Sequence, residues 1–368
     1  MQDILSARMG RIDVSAIRRV FDLAESLKDP INLSIGQPHY PAPERVRKAL
    51  ADAALNGQTA YTKTQGIQPL REALARKYTE RNRIETTPDQ VLVSSGVASL
   101  IQLLMLATID PGDRVLLTDP AFLIYRSMLD FYGAEVVTIP ETFTTEELDA
   151  VDTAGVKLVI YCSPSNPTGF VMDANRIRAL AGVADKNGAV LVADEIYELF
   201  DYDGAFVSAG SIYENTLTLS GFSKSYNMTG LRLSYATGPA KLLKAMTTLQ
   251  QYTVVCAPSA VQWAGLAALD EDMSPYVDAY RRNRDRCIER LQGKMNFTHP
   301  GGAFYIFPEL PGEDADDFAF VERAIKEKQL LLVPGHIFTE SRRYLRLSYA
   351  AEPDVLERGL DGLVDLLG

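Results

Sequence analysis

The feature that most constrains the fold of this chain is a series of short apolar runs that alternate with helical stretches. The runs are VLVSS at 91–95, RVLLTD at 114–119, EVVTIP at 135–140, KLVIYCS at 157–163, AVLVADE at 189–195, TLTLSG at 216–221 and RLSYATG at 232–238. Most of them are continuously apolar, which is typical of strands that are covered on both faces. Strands joined by helical crossovers predict a doubly wound α/β domain.

The two ends of the chain differ from this middle part. Residues 14–26 have a helical pattern, and an extended segment stiffened by prolines follows it. Beyond a long charged helix predicted at 274–292, short apolar runs alternate with two more helical patterns. We therefore predict a large domain at 41–272 and a small α+β domain that combines residues 1–40 with 273–368.

Composition argues against several classes of protein. The 368 residues include 37 Lys and Arg against 48 Asp and Glu, a net charge of −11, and contain no basic run, so we expect no nucleic-acid partner. No stretch approaches ~18 uninterrupted apolar residues, and the first residues do not resemble a signal peptide, so we expect no membrane partner. Three widely separated cysteines without CxxC spacing favour a reduced, cytoplasmic protein.

Familiar catalytic motifs of α/β proteins are absent from this sequence. It contains neither the GxGxxG of dinucleotide-binding folds nor a P-loop, and it lacks the GxSxG elbow of α/β hydrolases and the HExxH of zinc proteases. Its three histidines are far apart. We therefore predict no metal site and no serine-hydrolase triad.

Polar residues collect where the predicted strands end, and ligands of open α/β sheets bind beyond those ends. Asn166, Asp194 and Lys224 each follow a different predicted strand, and Tyr197 stands three residues after Asp194. The small-residue turn at 95–98 opens a helix whose free N–H groups suit a phosphate. Each feature taken alone has a structural alternative: a helix start, an Asn-Pro turn, an N-cap or a solvated loop lysine.

Lys224 is the candidate with the clearest chemistry. A lysine bordered by small residues at the end of a strand is a candidate Schiff-base amine. Partial burial or a nearby cation lowers the pKa of such an amine and frees its lone pair. Four other candidates also follow strands of the same predicted sheet: Asn166, Asp194, Tyr197 and Arg232. This grouping favours a Schiff-base amine over a solvated loop lysine at position 224.

The motifs SNPTG, DEIY and SGFSKSYNMTGLR resemble, in order and spacing, the class I/II aminotransferases of fold type I, which depend on pyridoxal phosphate. GQPHYPAP, YTKTQGIQPLREALA, HPGGAFYIFP and YLRLSYA extend the resemblance over nearly the whole chain. It implies a mostly parallel seven-stranded sheet between helices, a small α+β domain and pyridoxal 5'-phosphate as cofactor. Two departures are Ser234, where the family usually has Gly or Ala, and Gln37-Pro38-His39 in place of Glu-Pro-Asp.

The resemblance also implies catalytic and cofactor-binding roles. Lys224 would bind the cofactor covalently and then act as general base on the substrate α-carbon. Asp194 would pair with the pyridinium nitrogen, while Asn166 and Tyr197 would hydrogen-bond the phenolic oxygen of the ring. The phosphate would be surrounded by Arg232, Ser220, Ser223 and the backbone amides of Gly96, Val97 and Ala98.

Four further residues acquire roles from the same resemblance. Phe122 would stack on the cofactor ring, with a core phenylalanine as the alternative. Arg346 would bind the substrate α-carboxylate through a bidentate pair of hydrogen bonds, and Gly36 and Asn166 would contact the substrate as well. Tyr61 would cross the interface of a homodimer to the partner's phosphate; its alternative is a surface aromatic of its own subunit.

The expected reaction is ping-pong transfer of an amino group between an L-amino acid and a 2-oxo acid such as 2-oxoglutarate or pyruvate. A β-lyase or a decarboxylase on the same fold is the main alternative, because the cofactor weakens every bond at the substrate α-carbon. A non-catalytic regulator is a distant alternative. Val97 stands where some aspartate-using relatives have lysine, so neutral or aromatic donors are slightly preferred over aspartate.

Overall fold

We describe a computed structural model of the chain over residues 4–12, 27–312 and 315–368. Its α-helices are α1 (Glu44–Leu55), α2 (Gln68–Glu80), α3 (Val97–Thr108), α4 (Leu123–Tyr132), α5 (Thr145–Ala150), α6 (Ala174–Asn187), α7 (Phe222–Ser225), α8 (Ala240–Thr253), α9 (Ser259–Ala268), α10 (Ser274–Leu291), α11 (Asp317–Lys328) and α12 (Pro353–Leu367). Its strands are β1 (Ile31–Asn32), β2 (Val91–Ser94), β3 (Arg114–Asp119), β4 (Glu135–Pro140), β5 (Val156–Cys162), β6 (Val190–Asp194), β7 (Thr216–Gly221), β8 (Ser234–Thr237), β9 (Tyr305–Ile306), β10 (Leu330–Leu331), β11 (Val333–Pro334) and β12 (Leu345–Ser348). The helix predicted at 14–26 lies outside the described residues.

Seven strands form one large sheet in the order β2-β8-β7-β6-β5-β3-β4. The pairs β7–β6, β6–β5, β5–β3 and β3–β4 are parallel, whereas β8 is antiparallel to both of its neighbours, β2 and β7. These strands are the seven apolar runs identified in the sequence. The predicted α/β fold with a mostly parallel seven-stranded sheet is therefore confirmed.

The continuous apolar character of the central strands follows from cores on both faces of the sheet. In β5, Leu158 and Ile160 pack into the core beside α3, whereas Val159 and Tyr161 pack into the core beside α6. Successive side chains of a strand point to opposite faces, so two buried faces require an unbroken apolar run. The helix α6 ends at Asn187, and Gly188 follows it with φ +62°, as the predicted C-cap role of this glycine requires.

Two smaller sheets lie against the large one and combine distant parts of the sequence. β1 pairs in parallel with β10, so that Ile31 is opposite Leu330. β12 lies between β11 and β9 and is antiparallel to both. This arrangement brings residues 31–36 beside β12 and over the carboxyl ends of the large sheet's parallel strands.

The α-helices of the described ranges contain between 4 and 18 residues. None of those helices is both long enough and apolar enough to cross a bilayer. The longest of them, α10, contains 18 residues and is rich in charged side chains.

Candidate active site

A cavity of about 340 Å³ lies between the carboxyl ends of the parallel strands and the strands β9 and β12. Residues from β6, β12 and the loops or helices after β2, β3, β5 and β7 line it. The residues predicted from sequence that line it are Gly36, Val97, Ala98, Phe122, Asn166, Asp194, Tyr197, Ser223, Lys224, Arg232 and Arg346. The tertiary structure thus gathers into one place residues spread over more than three hundred positions.

Lys224 lies in the short helix α7, which follows β7 directly. Its Nζ donates a hydrogen bond to the carbonyl oxygen of Gly36. The pKa of Lys224 is lowered to about 8, chiefly by burial and also by the nearby cations Arg346 and Arg232, while Asp194 opposes them. At neutral pH an appreciable fraction of this amine is therefore unprotonated and able to act as nucleophile or base.

Asp194 ends β6 inside the cavity. Its Oδ2 accepts a hydrogen bond of 2.5 Å from the hydroxyl of Tyr125 on α4, and its Oδ1 accepts one of 3.1 Å from the N–H of Ile196. Burial raises the pKa of Asp194 to about 6, against these hydrogen bonds and the charge of Lys224. Residues 196–199 form a turn rather than a helix, so Asp194 does not cap a helix here.

The helix N-terminus at Val97 and the guanidinium of Arg232 lie side by side. Gly96 precedes α3 with φ +87°, and a Cβ on it would overlap the Arg232 guanidinium. Only glycine therefore permits this approach without displacing the arginine. Arg232 Nη1 donates to the carbonyl oxygen of Thr229 at 2.9 Å, and Ser223 also lines this end of the cavity. A helix N-terminus beside a guanidinium favours an anion.

Arg346 on β12 forms the opposite wall and is 2% exposed. Its Nη1 donates to Asn166 Oδ1 at 3.1 Å and its Nη2 to the Ser34 carbonyl oxygen at 2.7 Å. The guanidinium lies between two aromatic rings, 4.7 Å from the centre of Tyr305 and 4.9 Å from that of Phe338. Its Nε has no hydrogen-bond partner within the protein, so this cation can still receive an anion.

Three predicted residues, Gly96, Ser220 and Tyr61, are not part of the cavity lining, although Gly96 adjoins it beside Val97 and Arg232. The Ser220 side chain donates instead to Glu198 Oε1 at 2.8 Å, so the structure does not support a contact between Ser220 and the phosphate. The reason is strand alternation: Leu219 points towards α3 and the cavity side, so Ser220 points to the opposite face. Tyr61 is 86% exposed, and its predicted role in a partner subunit stays a prediction.

Residues 28–363 match the family described as aminotransferase class I and II. The chain belongs to that family. Its structure is similar to that of the aspartate aminotransferase of Thermotoga maritima, with a TM-score of 0.93 and 32% identity over 99% of this chain and 100% of that one. In sequence it is 34% identical to the aspartate/prephenate aminotransferase of Thermus thermophilus, over 96% of this chain and 95% of that protein. It is 31% identical to aromatic-amino-acid aminotransferase 2 of Thermococcus litoralis, over 99% and 98% respectively.

These findings confirm the resemblance inferred from the motifs. The chain is an aminotransferase, and its family depends on pyridoxal phosphate and acts on amino acids and 2-oxo acids. The named relatives favour neither the lyase nor the regulator alternative. Among the residues that the structure describes, no cluster of His, Cys, Asp and Glu side chains is arranged to hold a metal ion.

Several residues of the aminotransferase cavity were not singled out from the sequence. Tyr125 lies on α4, three residues after Phe122, which immediately precedes the helix, and this spacing could have placed both side chains on the cavity side. Tyr305 stands inside the motif HPGGAFYIFP, which contributed to the resemblance without a role for that residue. Ile101 and Ile124 occupy helical positions that the sequence does not distinguish from ordinary core positions.

Proposed function

We propose that this aminotransferase binds pyridoxal 5'-phosphate in the cavity, with Lys224 as its covalent attachment point. The observation that carries the proposal is a lysine with a pKa near 8 in one cavity with a buried carboxylate and an anion-favouring helix terminus. When bound, the cofactor takes up the electron pair released at the substrate α-carbon. Lys224 holds and moves the proton at that carbon.

The donor set of the cavity matches the chemical parts of this cofactor. Asp194 offers a negative charge to a protonated ring nitrogen, and Tyr125 fixes its orientation. The N-terminus of α3 and Arg232 offer donors to a phosphate. Phe122 offers an aromatic face, and the volume of about 340 Å³ lies within the usual range for small-molecule sites, ~300–1,000 Å³.

Arg346 binds the α-carboxylate of both substrates in this proposal. Its buried guanidinium is oriented by Asn166 and Ser34 and has donor capacity left at Nε. A planar guanidinium forms paired hydrogen bonds with a carboxylate, which fixes the α-carbon near Lys224. The backbone of Gly36 lies beside Lys224, because its carbonyl oxygen accepts the hydrogen bond of the lysine.

Cofactor binding is tested with an asparagine variant of Asp194. Asp194→Asn retains the shape but removes the charge that holds the proton on the ring nitrogen. We expect transfer of the amino group from a donor to the bound cofactor to slow by roughly 10²–10³-fold. The rate of this half-reaction is measured from the change in cofactor absorbance. Asp173→Asn is the control, because Asp173 accepts hydrogen bonds at the N-terminus of α6, away from the cavity. Equal rates in the two variants, or no cofactor uptake by the wild type, would contradict the proposal.

The donor is proposed to be a neutral or aromatic L-amino acid, with pyruvate or 2-oxoglutarate as acceptor. Val97, Ile101 and Ile124 form an apolar part of the cavity lining. Within the described residues, the cations that line it are Lys224, Arg232 and Arg346, and each already has a role. Among the described residues of this chain, no lining cation is therefore left for a second carboxylate. A panel of donors tests this: preference for aspartate by more than about a hundredfold, some 2.7 kcal/mol, would contradict it.

We also propose a homodimer with composite sites. Leu55, Tyr61, Tyr252, Val254 and Val255 are exposed apolar side chains of this chain, and a symmetric interface would bury them. Chains carrying Tyr61→Ala are mixed with chains carrying Lys224→Ala under subunit exchange. If Tyr61 acts in the partner's site, one hybrid site is intact and activity rises above both parents. No gain on mixing would refute the composite site, and a monomer in sedimentation would refute the dimer itself.

We also propose a division into two domains and a cytoplasmic location, each from a separate observation. The strands of the small sheets lie at 31–32 and within 305–348, which supports domain boundaries near 41 and 273.

All three cysteines are free thiols, which supports a reducing, cytoplasmic location. Limited proteolysis near these boundaries and fractionation of the source cells would test the two statements separately.

A further inference from the structure

Tyr305 is a buried cavity residue without a role in the proposed chemistry. It begins β9, is 1% exposed, and pairs with Ser348 across the neighbouring strand β12. Arg346 lies two residues before Ser348 and therefore on the same face of that strand. This register places the tyrosine ring diagonally beneath the guanidinium of Arg346.

The hydroxyl of Tyr305 lies 2.8 Å from the hydroxyl of Tyr197, and both are buried. A phenol has a single proton to donate. Tyr197 can therefore donate into the cavity only when Tyr305 donates to the oxygen of Tyr197. The two hydroxyls then form a chain in which each hydrogen bond strengthens the next.

The ring of Tyr305 contacts Arg346, and its hydroxyl contacts the loop that contains Gly36. The Arg346 guanidinium lies 4.7 Å from the ring centre, a distance typical of a cation–π contact. A Cβ on Gly36 would lie 2.5 Å from the Tyr305 hydroxyl, so the loop that contains Gly36 packs directly on this oxygen. The carbonyl oxygen of the same Gly36 accepts the hydrogen bond of Lys224.

We propose that Tyr305 is a positioning residue that fixes Tyr197, Arg346 and the Gly36 loop relative to one another. Through its hydroxyl it directs the proton of Tyr197 towards the bound cofactor, and through its ring it holds Arg346 in place for the substrate carboxylate. The inference rests on the proposed binding of pyridoxal phosphate, because the proton of Tyr197 is directed at that group.

Two substitutions separate the hydroxyl from the ring. Tyr305→Phe removes the hydroxyl and retains the ring beneath Arg346, whereas Tyr305→Leu removes both. Tyr349→Phe is the matched control, because Tyr349 is fully buried in the same region and its hydroxyl donates to the Gly302 carbonyl oxygen, outside the cavity lining. Each protein is loaded with pyridoxal phosphate, and the pH midpoint of the cofactor absorbance is measured without substrate. The affinity for hydrocinnamate, an unreactive carboxylate, is measured by titration.

Tyr305→Phe is expected to raise the midpoint by about half a unit or more, because weaker donation from Tyr197 destabilises the negative charge on the cofactor oxygen. Its hydrocinnamate affinity should stay near that of wild type. Tyr305→Leu should show the same midpoint shift and lose at least about fivefold in hydrocinnamate affinity. Tyr349→Phe should match the wild type in both measurements.

The outcomes distinguish this inference from the proposed function. If wild-type protein takes up no pyridoxal phosphate, the proposed function fails. If the wild type is loaded and both Tyr305 variants titrate like Tyr349→Phe, the positioning role is wrong. A loss of hydrocinnamate affinity in Tyr305→Phe equal to that in Tyr305→Leu would also overturn it, since the ring contact would then contribute nothing.

Discussion

Lys77 and Lys224 both carry an amino group into the protein interior, but their surroundings have opposite electrostatic character. Lys77 on α2 is 7% exposed, and its Nζ lies 2.5 Å from Glu198 Oε1. Glu198 also accepts hydrogen bonds from Asn82 and Ser220. Burial acts to raise the pKa of Glu198, but Lys77 and these donors together hold it below its ordinary value. The pair is therefore an ion pair whose charges are satisfied.

Within the described part of the chain, no carboxylate lies at hydrogen-bond distance from the amine of Lys224. Its Nζ donates to a neutral carbonyl oxygen, and two of the charged groups nearest to it are the cations Arg346 and Arg232. Asp194 opposes them, yet its carboxylate is engaged by Tyr125. The comparison teaches that burial by itself does not make a lysine reactive. Reactivity requires that the compensating negative charge be kept away from the amine.

The largest expected difference between the two lysines is in the loss of turnover when each is replaced. Lys224→Ala should lose turnover by at least about 10⁴-fold, because it removes both the nucleophile and the proton carrier. Lys77→Ala should retain the turnover of wild type per folded molecule. Borohydride reduction of the loaded protein followed by peptide mapping should place the cofactor on Lys224. A label on Lys77 or any other lysine would contradict the assignment.

The next largest expected effect is the loss of folding stability when Lys77 is replaced. Lys77→Met leaves the Glu198 carboxylate buried without its cation and should lower the free energy of unfolding by about 3–5 kcal/mol. The double variant Lys77→Met/Glu198→Gln removes both charges and should recover most of that loss. Denaturant unfolding of both variants measures the difference. A single variant that costs less than about 1 kcal/mol would show that the pair is not the stabilising contact inferred here.

The smallest effect is a pH dependence of the cofactor-free protein. The folded-state pKa of Lys224, about 8, is below its ordinary value of 10.5, so the unfolded state binds more protons between these values. The free energy of unfolding therefore rises with pH across this window. Lys224→Met should be more stable than wild type by about 3 kcal/mol below pH 8, and the difference should fade towards pH 10.5.

Unfolding of the two cofactor-free proteins at several pH values measures this effect. Lys241→Met is the control, because Lys241 is exposed on α8 and should give a curve parallel to that of wild type. Parallel curves for wild type and Lys224→Met would mean that the Lys224 ammonium is not disfavoured by its surroundings.

Much of the site could be predicted because its chemistry is local to strand ends. Asp194 and Lys224 each follow a continuous apolar run, and parallel strands place their carboxyl ends at one edge. The residue types and their spacing, together with the similarity of the motifs, were sufficient to predict the large sheet and most of the cavity lining.

Orientation was harder to predict than position. Ser220 and Ser223 are three residues apart and chemically identical, but only Ser223 faces the cavity. The difference depends on where β7 ends and α7 begins, because a strand alternates its faces and a helical turn does not. Sequence patterns do not locate the boundary between a strand and a helix to within one or two residues.

The sequence by itself determined which residues carry charge, which runs become buried strands and which motifs belong together. The tertiary structure alone decided which of them touch. Arg346 donates to Ser34 across 312 positions, and Tyr197 meets Tyr305 across 108. No local pattern specifies such contacts, because they exist only after β1 and β12 have assembled over the large sheet. The same assembly removes water and places cations beside Lys224, and these two effects together set the pKa of its amine.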